Sequence, residues 1–276
     1  MGQKKYIGVF DSGFGGLDIL RGIIKTLPQY DYIYLGDTAR TPYGTRSPEI
    51  VYKFTKEAVD FLFAKNCTLV LLACNTASSD ALRKIQKKDI PRLYPDKKIL
   101  GVLIPAAEEA VLRTKNKRVG VIATDGTVKS GAFVRELKKL DPQIRVFQKG
   151  CPLLVPLVEA GEQNTEAARL ILQNYLRPLI AKNIDTLILG CTHYGILKRA
   201  VQNIVGSRVH VVSEAETVPQ KLKAYLAKHD EREKQIGKNG KIHFYTTDLS
   251  PKFQRLGSRF FGKPIHAQKI TLAARQ

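Results

Sequence analysis

The chain has 276 residues, of which 43% are hydrophobic and 25% charged, a composition typical of a globular enzyme. This length accommodates one large α/β domain or two smaller ones. No stretch approaches the roughly 20 consecutive apolar residues that cross a bilayer, so we expect no membrane contact. The amino terminus carries only a short apolar run, shorter than the roughly 7–15 residues of a signal peptide core, and we therefore expect a cytoplasmic protein.

Short β-rich runs alternate with amphipathic helical patterns, which predicts βα units and mainly parallel sheets. The predicted strands are Tyr6–Phe10, Tyr32–Leu35, Thr68–Ala73, Ile99–Leu103, Arg118–Ala123, Thr186–Leu189, Arg208–Val212 and Lys241–Tyr245. The predicted helices are Ser47–Lys65, Ser78–Lys88, Pro105–Lys115, Lys129–Leu140 and Asn164–Lys182. Ser47 followed by Pro48 is a typical helix start, because a hydroxyl caps the first turn and proline fits its first position.

Two strand-end sequences near the amino terminus recur later in the chain. The run around Gly8 recurs around Gly120, at an offset of 112, and the run ending at Cys74 recurs at Cys191, at an offset of 117. Two pairs in the same order at similar offsets indicate a duplicated fold. We therefore predict an α/β fold of two pseudo-symmetric lobes, with their strand ends facing one cleft.

The formal net charge is +20, and residues 219–276 are the most basic part, with 13 Lys and Arg against 4 Asp and Glu. A nucleic-acid or anionic-surface patch is one interpretation. Because no nucleic-acid-binding motif accompanies the charge, we favour a globular enzyme with a lysine-rich surface.

The chain has four cysteines, Cys67, Cys74, Cys151 and Cys191. None forms a CxxC pair, so zinc sites and thioredoxin-like motifs are disfavoured, and we expect no metal. We predict that Cys67 is a packing residue and that Cys151 lies on a turn, since neither stands between an apolar strand and a polar run.

Cys74 and Cys191 each follow an apolar strand and precede polar residues that can begin a helix. Ligands bind at the carboxyl ends of parallel strands, and backbone N–H groups at a helix start favour a thiolate. Inverting a stereocentre by proton transfer requires a base on one face of the carbon and an acid on the other, which a symmetric cysteine pair supplies. From spacing alone, two core cysteines remain the alternative.

Polar residues at neighbouring strand ends favour the catalytic interpretation. Asp11 and His193 are candidates to orient or deprotonate a cysteine, although a helix cap and a structural histidine are the alternatives. Glu159 ends an apolar run as either a supporting partner or a surface acid. Gly13–Gly16 differs in spacing from a dinucleotide-binding loop and is interpreted as a tight turn whose N–H groups face the cleft. Other candidates for holding carboxylate or ammonium groups are Ser12, Asn75, Thr76 and Thr192.

Five motifs closely resemble those of the glutamate racemases, in the aspartate/glutamate racemase superfamily. They run in family order as Ile7–Leu17, Leu35–Gly44, Leu71–Ser78, Cys151–Glu159 and Gly190–Tyr194. The Thr-His pair after Cys191 resembles the glutamate branch, whereas aspartate racemases usually carry an acid there. Two segments depart from the family pattern. Gly101–Ala107 lacks the usual Glu-Pro-Gly run, and Ser213 stands where the family often has Asp.

The resemblance implies that Cys74 removes the α-proton of D-glutamate and Cys191 that of L-glutamate, assisted by Asp11, Glu159 and His193. It implies no pyridoxal phosphate and no metal, and a product, D-glutamate, that feeds peptidoglycan synthesis. It also implies one lobe of residues 1–98 and 210–276, and a second of 99–209. The substrate contacts that it implies are Asp11, Ser12, Tyr43, Gly44, Asn75, Thr76, Thr192 and His193.

Two other functions remain open. A racemase acting on aspartate or a related acid is the nearest enzymatic alternative. A binding protein that contacts nucleic acid or gyrase would use the +20 charge, and this role is compatible with catalysis. We further expect a homodimer.

Overall fold

Two parallel sheets organise the chain in a computed structural model, which describes residues 5–273. The amino-terminal segment examined for a leader begins outside these residues. The first sheet has six strands, in the order β10-β9-β2-β1-β3-β4, and the second has four, in the order β6-β5-β7-β8. The strands are β1 (Tyr6–Asp11), β2 (Tyr32–Gly36), β3 (Cys67–Leu72), β4 (Lys98–Gly101), β5 (Arg118–Ala123), β6 (Arg145–Gly150), β7 (Thr186–Gly190), β8 (His210–Val212), β9 (Ile242–Thr246) and β10 (Ala267–Lys269).

Helices connect the strands and cover both sheets. They are α1 (Gly16–Thr26), α2 (Pro48–Ala64), α3 (Asn75–Asp80), α4 (Leu82–Lys84), α5 (Ile90–Leu93), α6 (Leu103–Arg113), α7 (Asp125–Ser130), α8 (Ala132–Leu140), α9 (Leu154–Ala160), α10 (Glu166–Ile180), α11 (Lys198–Val205), α12 (Glu214–Ala227), α13 (Asp230–Glu233) and α14 (Pro251–Phe261). A π-helical turn, Ile85–Asp89, joins α4 to α5, and a 3-10 turn, Thr192–Leu197, precedes α11. Within residues 5–273, no helix is both long and apolar enough to span a bilayer.

The predicted duplication is confirmed by the strand order. Strands β2-β1-β3-β4 and β6-β5-β7-β8 follow the same order in their sheets, so β5 corresponds to β1 and β7 to β3. Gly8 of β1 pairs with Val70 of β3, and Gly120 of β5 pairs with Leu187 of β7. The α/β class with mainly parallel sheets is likewise confirmed, and β9 and β10 extend the first sheet alone.

The strands of the two sheets do not divide at the predicted lobe boundaries. Lys98–Gly101 pairs with β3 and so belongs to the first sheet, beyond the predicted boundary at residue 98. His210–Val212 pairs with β7 and belongs to the second sheet, beyond the predicted boundary at residue 209. These backbone hydrogen bonds move each change of sheet a few residues toward the carboxyl terminus. The division into two lobes stays a prediction.

Some local structure differs from the predicted elements. The predicted helix Lys129–Leu140 is two helices, α7 and α8, because Gly131 between them takes a left-handed φ of 63°. The helix predicted from Ser78 begins earlier, at Asn75, because Cys74 caps it. Strands β6 and β10 lie outside every predicted strand.

One apolar core joins the two sheets beneath the cleft. It contains Ile7 and Leu71 of the first sheet together with Leu187 and Val211 of the second, all of them buried. Helix α1 packs against α12, which leads the chain from β8 back toward the first sheet. The strand ends that carry the candidate residues are therefore supported by a continuous packed interior.

Candidate active site

The two candidate cysteines lie at equivalent strand ends. Cys74 stands two residues after β3, and Cys191 directly follows β7, the strand that corresponds to β3 in the duplicated order. Both are buried, with 5% and 7% of their surface exposed. The fold therefore presents one thiol from each sheet to the same cleft.

Cys74 caps helix α3. Its Sγ accepts a hydrogen bond from the Ala77 N–H at 3.5 Å and lies 3.2 Å from Ser12 Oγ. Burial, reinforced by the nearby Asp11, nevertheless raises the pKa of the Cys74 thiol to about 12. The predicted preference for a thiolate at a helix start is therefore outweighed here, because desolvation exceeds what one turn of N–H groups supplies.

Cys191 has extended backbone and precedes the 3-10 turn. Burial raises the pKa of its thiol well above the usual value, and the backbone N–H of His193 only partly opposes this. Negative charge on Cys74, Asp11 or Glu214 raises the same pKa further, which means that these groups lie close enough to interact across one pocket. Burial therefore favours the neutral thiol form of both cysteines.

Asp11 ends β1, lies within electrostatic reach of both cysteines and is fully buried. Its carboxylate accepts hydrogen bonds from the Gly13 N–H at 3.0 Å and from Thr192 Oγ1 at 3.4 Å. Burial raises the pKa of Asp11, while the charge of a protonated His193 opposes the rise. A buried carboxyl group with a raised pKa is suited to accept a proton from a neighbouring thiol or return one to it.

His193, Glu159 and Lys252 form a chain that leads from the cleft to its mouth. Nε2 of His193 lies 3.3 Å from Glu159 Oε1, and Lys252 Nζ of α14 donates to Glu159 Oε2 at 2.7 Å. Burial acts to raise the pKa of Glu159, but the contacts with His193 and Lys252 outweigh it and lower that pKa. Glu159 is therefore a carboxylate that can support a positive charge on the imidazole.

The remaining predicted contact residues also lie at the cleft. The hydroxyl of Thr76 lies 3.2 Å from that of Thr124, which follows β5, so the two sheets meet at this point. Gly44 joins the same contact, since its carbonyl accepts a hydrogen bond from the Gly126 N–H at 3.1 Å. Tyr43 differs from the others because its hydroxyl donates a hydrogen bond to buried Asp37.

The sequence model of the family described as Asp/Glu/Hydantoin racemase matches residues 7–217. The chain belongs to this family. It is 42% identical over 259 residues to glutamate racemase of Geobacter metallireducens, covering 94% of this chain and 93% of that protein. Glutamate racemase isoform RacE1 of Bacillus anthracis superposes with a TM-score of 0.89 at 34% identity, covering 98% and 99% of the two chains. Glutamate racemase of Francisella tularensis, solved in complex with D-glutamate, superposes with a TM-score of 0.87 at 33% identity and 98% coverage of both chains.

Two residues of this racemase-family cleft lie outside the predicted site. Glu214, the first residue of α12, accepts a hydrogen bond from Asn75 Nδ2 at 2.8 Å. Its position two residues after β8 is the same strand-end signal that identifies the other candidates. Lys252 lies far along the chain in α14, where its sequence context carries no signal of a site.

The other two cysteines are also buried. Cys67 packs within β3, as predicted. Cys151 lies on the turn that follows β6, as predicted, and β6 is a largely polar strand. Cys151 lines a cavity of about 660 Å³ at the cleft mouth, together with Glu159 and Lys252.

Proposed function

We propose that this racemase-family protein interconverts L- and D-glutamate by two-base proton transfer between Cys74 and Cys191. The observation that supports this most directly is the placement of one thiol at equivalent ends of two duplicated strands, within electrostatic reach of each other. A stereocentre held between them has an acid/base group on either face. Cys74 takes the α-proton of D-glutamate, and Cys191 takes that of L-glutamate.

Each thiol must lose its proton only when substrate is bound. The α-ammonium group of the substrate brings a positive charge into the cleft, which lowers the pKa of a nearby thiol. Asp11 lies beside both cysteines, and His193 is supported by the carboxylate of Glu159, so these two side chains receive and return the thiol protons. Raised resting pKa values then keep both thiols protonated, and therefore unreactive, in the empty enzyme.

The polar groups of the cleft suit a small acidic amino acid. Hydroxyls of Ser12, Thr76 and Thr192 and the amide of Asn75 are neutral hydrogen-bonding groups that can hold carboxylates, and the backbone of Tyr43 and Gly44 adds further contacts. We propose glutamate as the substrate because the Francisella tularensis relative, 33% identical, is solved in complex with D-glutamate. Aspartate is the alternative substrate.

We further propose a cytoplasmic homodimer that supplies D-glutamate for peptidoglycan synthesis. Light scattering of the purified protein tests the dimer, and a mass near that of one chain contradicts it. Rescue of a D-glutamate auxotroph by the wild-type gene, but not by Cys74→Ala, tests the metabolic role.

The activity is tested by following glutamate by circular dichroism in heavy water without pyridoxal phosphate. We expect deuterium at Cα of the product enantiomer, and loss of racemisation in both Cys74→Ala and Cys191→Ala. Cys151→Ala is the matched control, since it removes a buried strand-end thiol outside the proposed pair. Full activity in either catalytic variant contradicts the two-base mechanism, and turnover of aspartate but not glutamate contradicts the substrate.

A further inference from the structure

Glu214 is a buried acid with an incomplete set of hydrogen bonds. It is 3% exposed and stands at the point where the chain leaves β8 and begins α12. One carboxyl oxygen, Oε2, accepts a hydrogen bond from Asn75 Nδ2 at 2.8 Å. The other, Oε1, is buried without a hydrogen-bond partner among residues 5–273.

Asn75 also has a side-chain oxygen without a hydrogen bond in the described part of the chain. Its Oδ1 is likewise buried without a partner among the described residues, although its Nδ2 is bonded to Glu214. Two unpaired acceptor oxygens on one hydrogen-bonded pair would cost about 1–3 kcal/mol each. A protonated Glu214 lowers this cost, because it carries an O–H donor and the unpaired Asn75 Oδ1 is an acceptor on the same hydrogen-bonded pair.

The surroundings of Glu214 also disfavour a negative charge. Asp11 at the end of β1 and Cys191 after β7 lie within electrostatic reach of Glu214, and both become anionic when they ionise. Burial and Asp11 raise the pKa of Glu214 well above its usual value, and the Asn75 hydrogen bond only partly opposes this. A charged Glu214 would also repel the carboxylates of an acidic substrate.

We propose that Glu214 is a positioning residue which, as a neutral carboxylic acid, fixes the orientation of the Asn75 side-chain amide in the cleft. Its catalytic consequence rests on the proposed function, since Asn75 directly follows Cys74 and is a proposed substrate contact. A fixed amide presents the same donor and acceptor to each incoming substrate, so the α-carbon is held in a constant position relative to Cys74.

A double-mutant cycle on kcat/KM for glutamate tests this role. Glu214→Leu removes both hydrogen-bonding functions at similar volume and should lower kcat/KM by about tenfold to hundredfold. In an Asn75→Ala background, the same change should cost less than about twofold, because the partner is already absent. Glu214→Gln, which mimics the neutral acid, should recover most of the loss. Glu216→Gln is the matched control, because Glu216 lies on the same turn in an exposed ion pair with Lys198.

Three results would overturn the proposal. Equal losses in Glu214→Gln and Glu214→Leu would mean that the negative charge of Glu214 is required. Additive losses in the cycle would mean that Glu214 does not act through Asn75. A lowered melting temperature in Glu214→Leu with unchanged kcat/KM would mean that its role is only structural.

A ¹³C NMR titration of the Glu214 carboxyl carbon, assigned by its disappearance in Glu214→Gln, tests the neutral state independently of turnover. We expect a protonated carboxyl at pH 7, and an ionised one overturns the proposal. If wild-type protein does not racemise glutamate, the proposed function fails, and the titration still decides the state of Glu214.

Discussion

Gly15→Ala is expected to push the segment that follows Cys191 away from the turn that contains Gly15. Gly15 has φ −63° and ψ −31°, so alanine is allowed by the backbone and its cost is purely steric. An added Cβ would lie 2.4 Å from Thr192 Oγ1, 2.6 Å from the Thr192 carbonyl carbon and 2.7 Å from the His193 nitrogen. Ordinary contact begins near 3.4 Å, so the residues that follow Cys191 must move by roughly 1 Å.

A displacement of this size at a reacting centre costs about 10²-fold in rate, or about 2.7 kcal/mol of transition-state stabilisation. We therefore expect kcat/KM for glutamate to fall about a hundredfold in both directions. Gly13→Ala is the control in the same turn, since its Cβ would meet Thr41 at 3.4 Å and His193 at 3.5 Å, both ordinary contacts. Wild-type kcat/KM and melting temperature in Gly15→Ala would refute the reasoning, as would an equal loss in Gly13→Ala.

Two further predictions concern ionisation. Lys252→Met removes a contact that lowers the pKa of Glu159, so the acid limb of the kcat/KM profile should move up by about half a pH unit, and by less in high salt. Arg255→Met removes a charge from the same cavity wall and should shift this limb less; equal shifts would contradict the contact. Burial raises the pKa of Cys151 to about 12, whereas the thiol of an unfolded chain titrates near 9. Between these pH values the folded chain binds more protons than the unfolded chain, so its free energy of unfolding falls as pH rises. Cys151→Ala should reduce this loss by about 2 kcal/mol between pH 9 and pH 11 in urea unfolding, and an unchanged pH dependence would contradict the raised pKa.

The central strands of both sheets could be predicted because parallel strands buried on both faces require continuous apolar runs. Strand β6 could not, since its sequence, Arg145–Gly150, is largely polar and only part-buried beside β5. Strand β10 has three residues at the sheet edge, too few for a periodic pattern. The break at Gly131 depends on a left-handed backbone that composition alone does not specify.

The candidate site was predictable where its residues follow strands that carry an apolar signal. Asp11, Cys74 and Cys191 all meet this condition. The ionisation of the cysteines could not be predicted, because it depends on how completely the fold removes water from them. The contact between Lys252 and Glu159 joins segments 93 residues apart, and such pairings emerge only from packing.

The apolar core that runs beneath both sheets makes the two repeats dependent on each other. Ile7 and Leu71 of one repeat and Leu187 and Val211 of the other are buried in the same core, so neither repeat could expose its share to water without losing this burial. A single copy of the repeat would therefore need a partner to cover its apolar face. Strands β9 and β10, added to one copy only, make the present halves unequal, so the two cysteines are free to diverge in their surroundings.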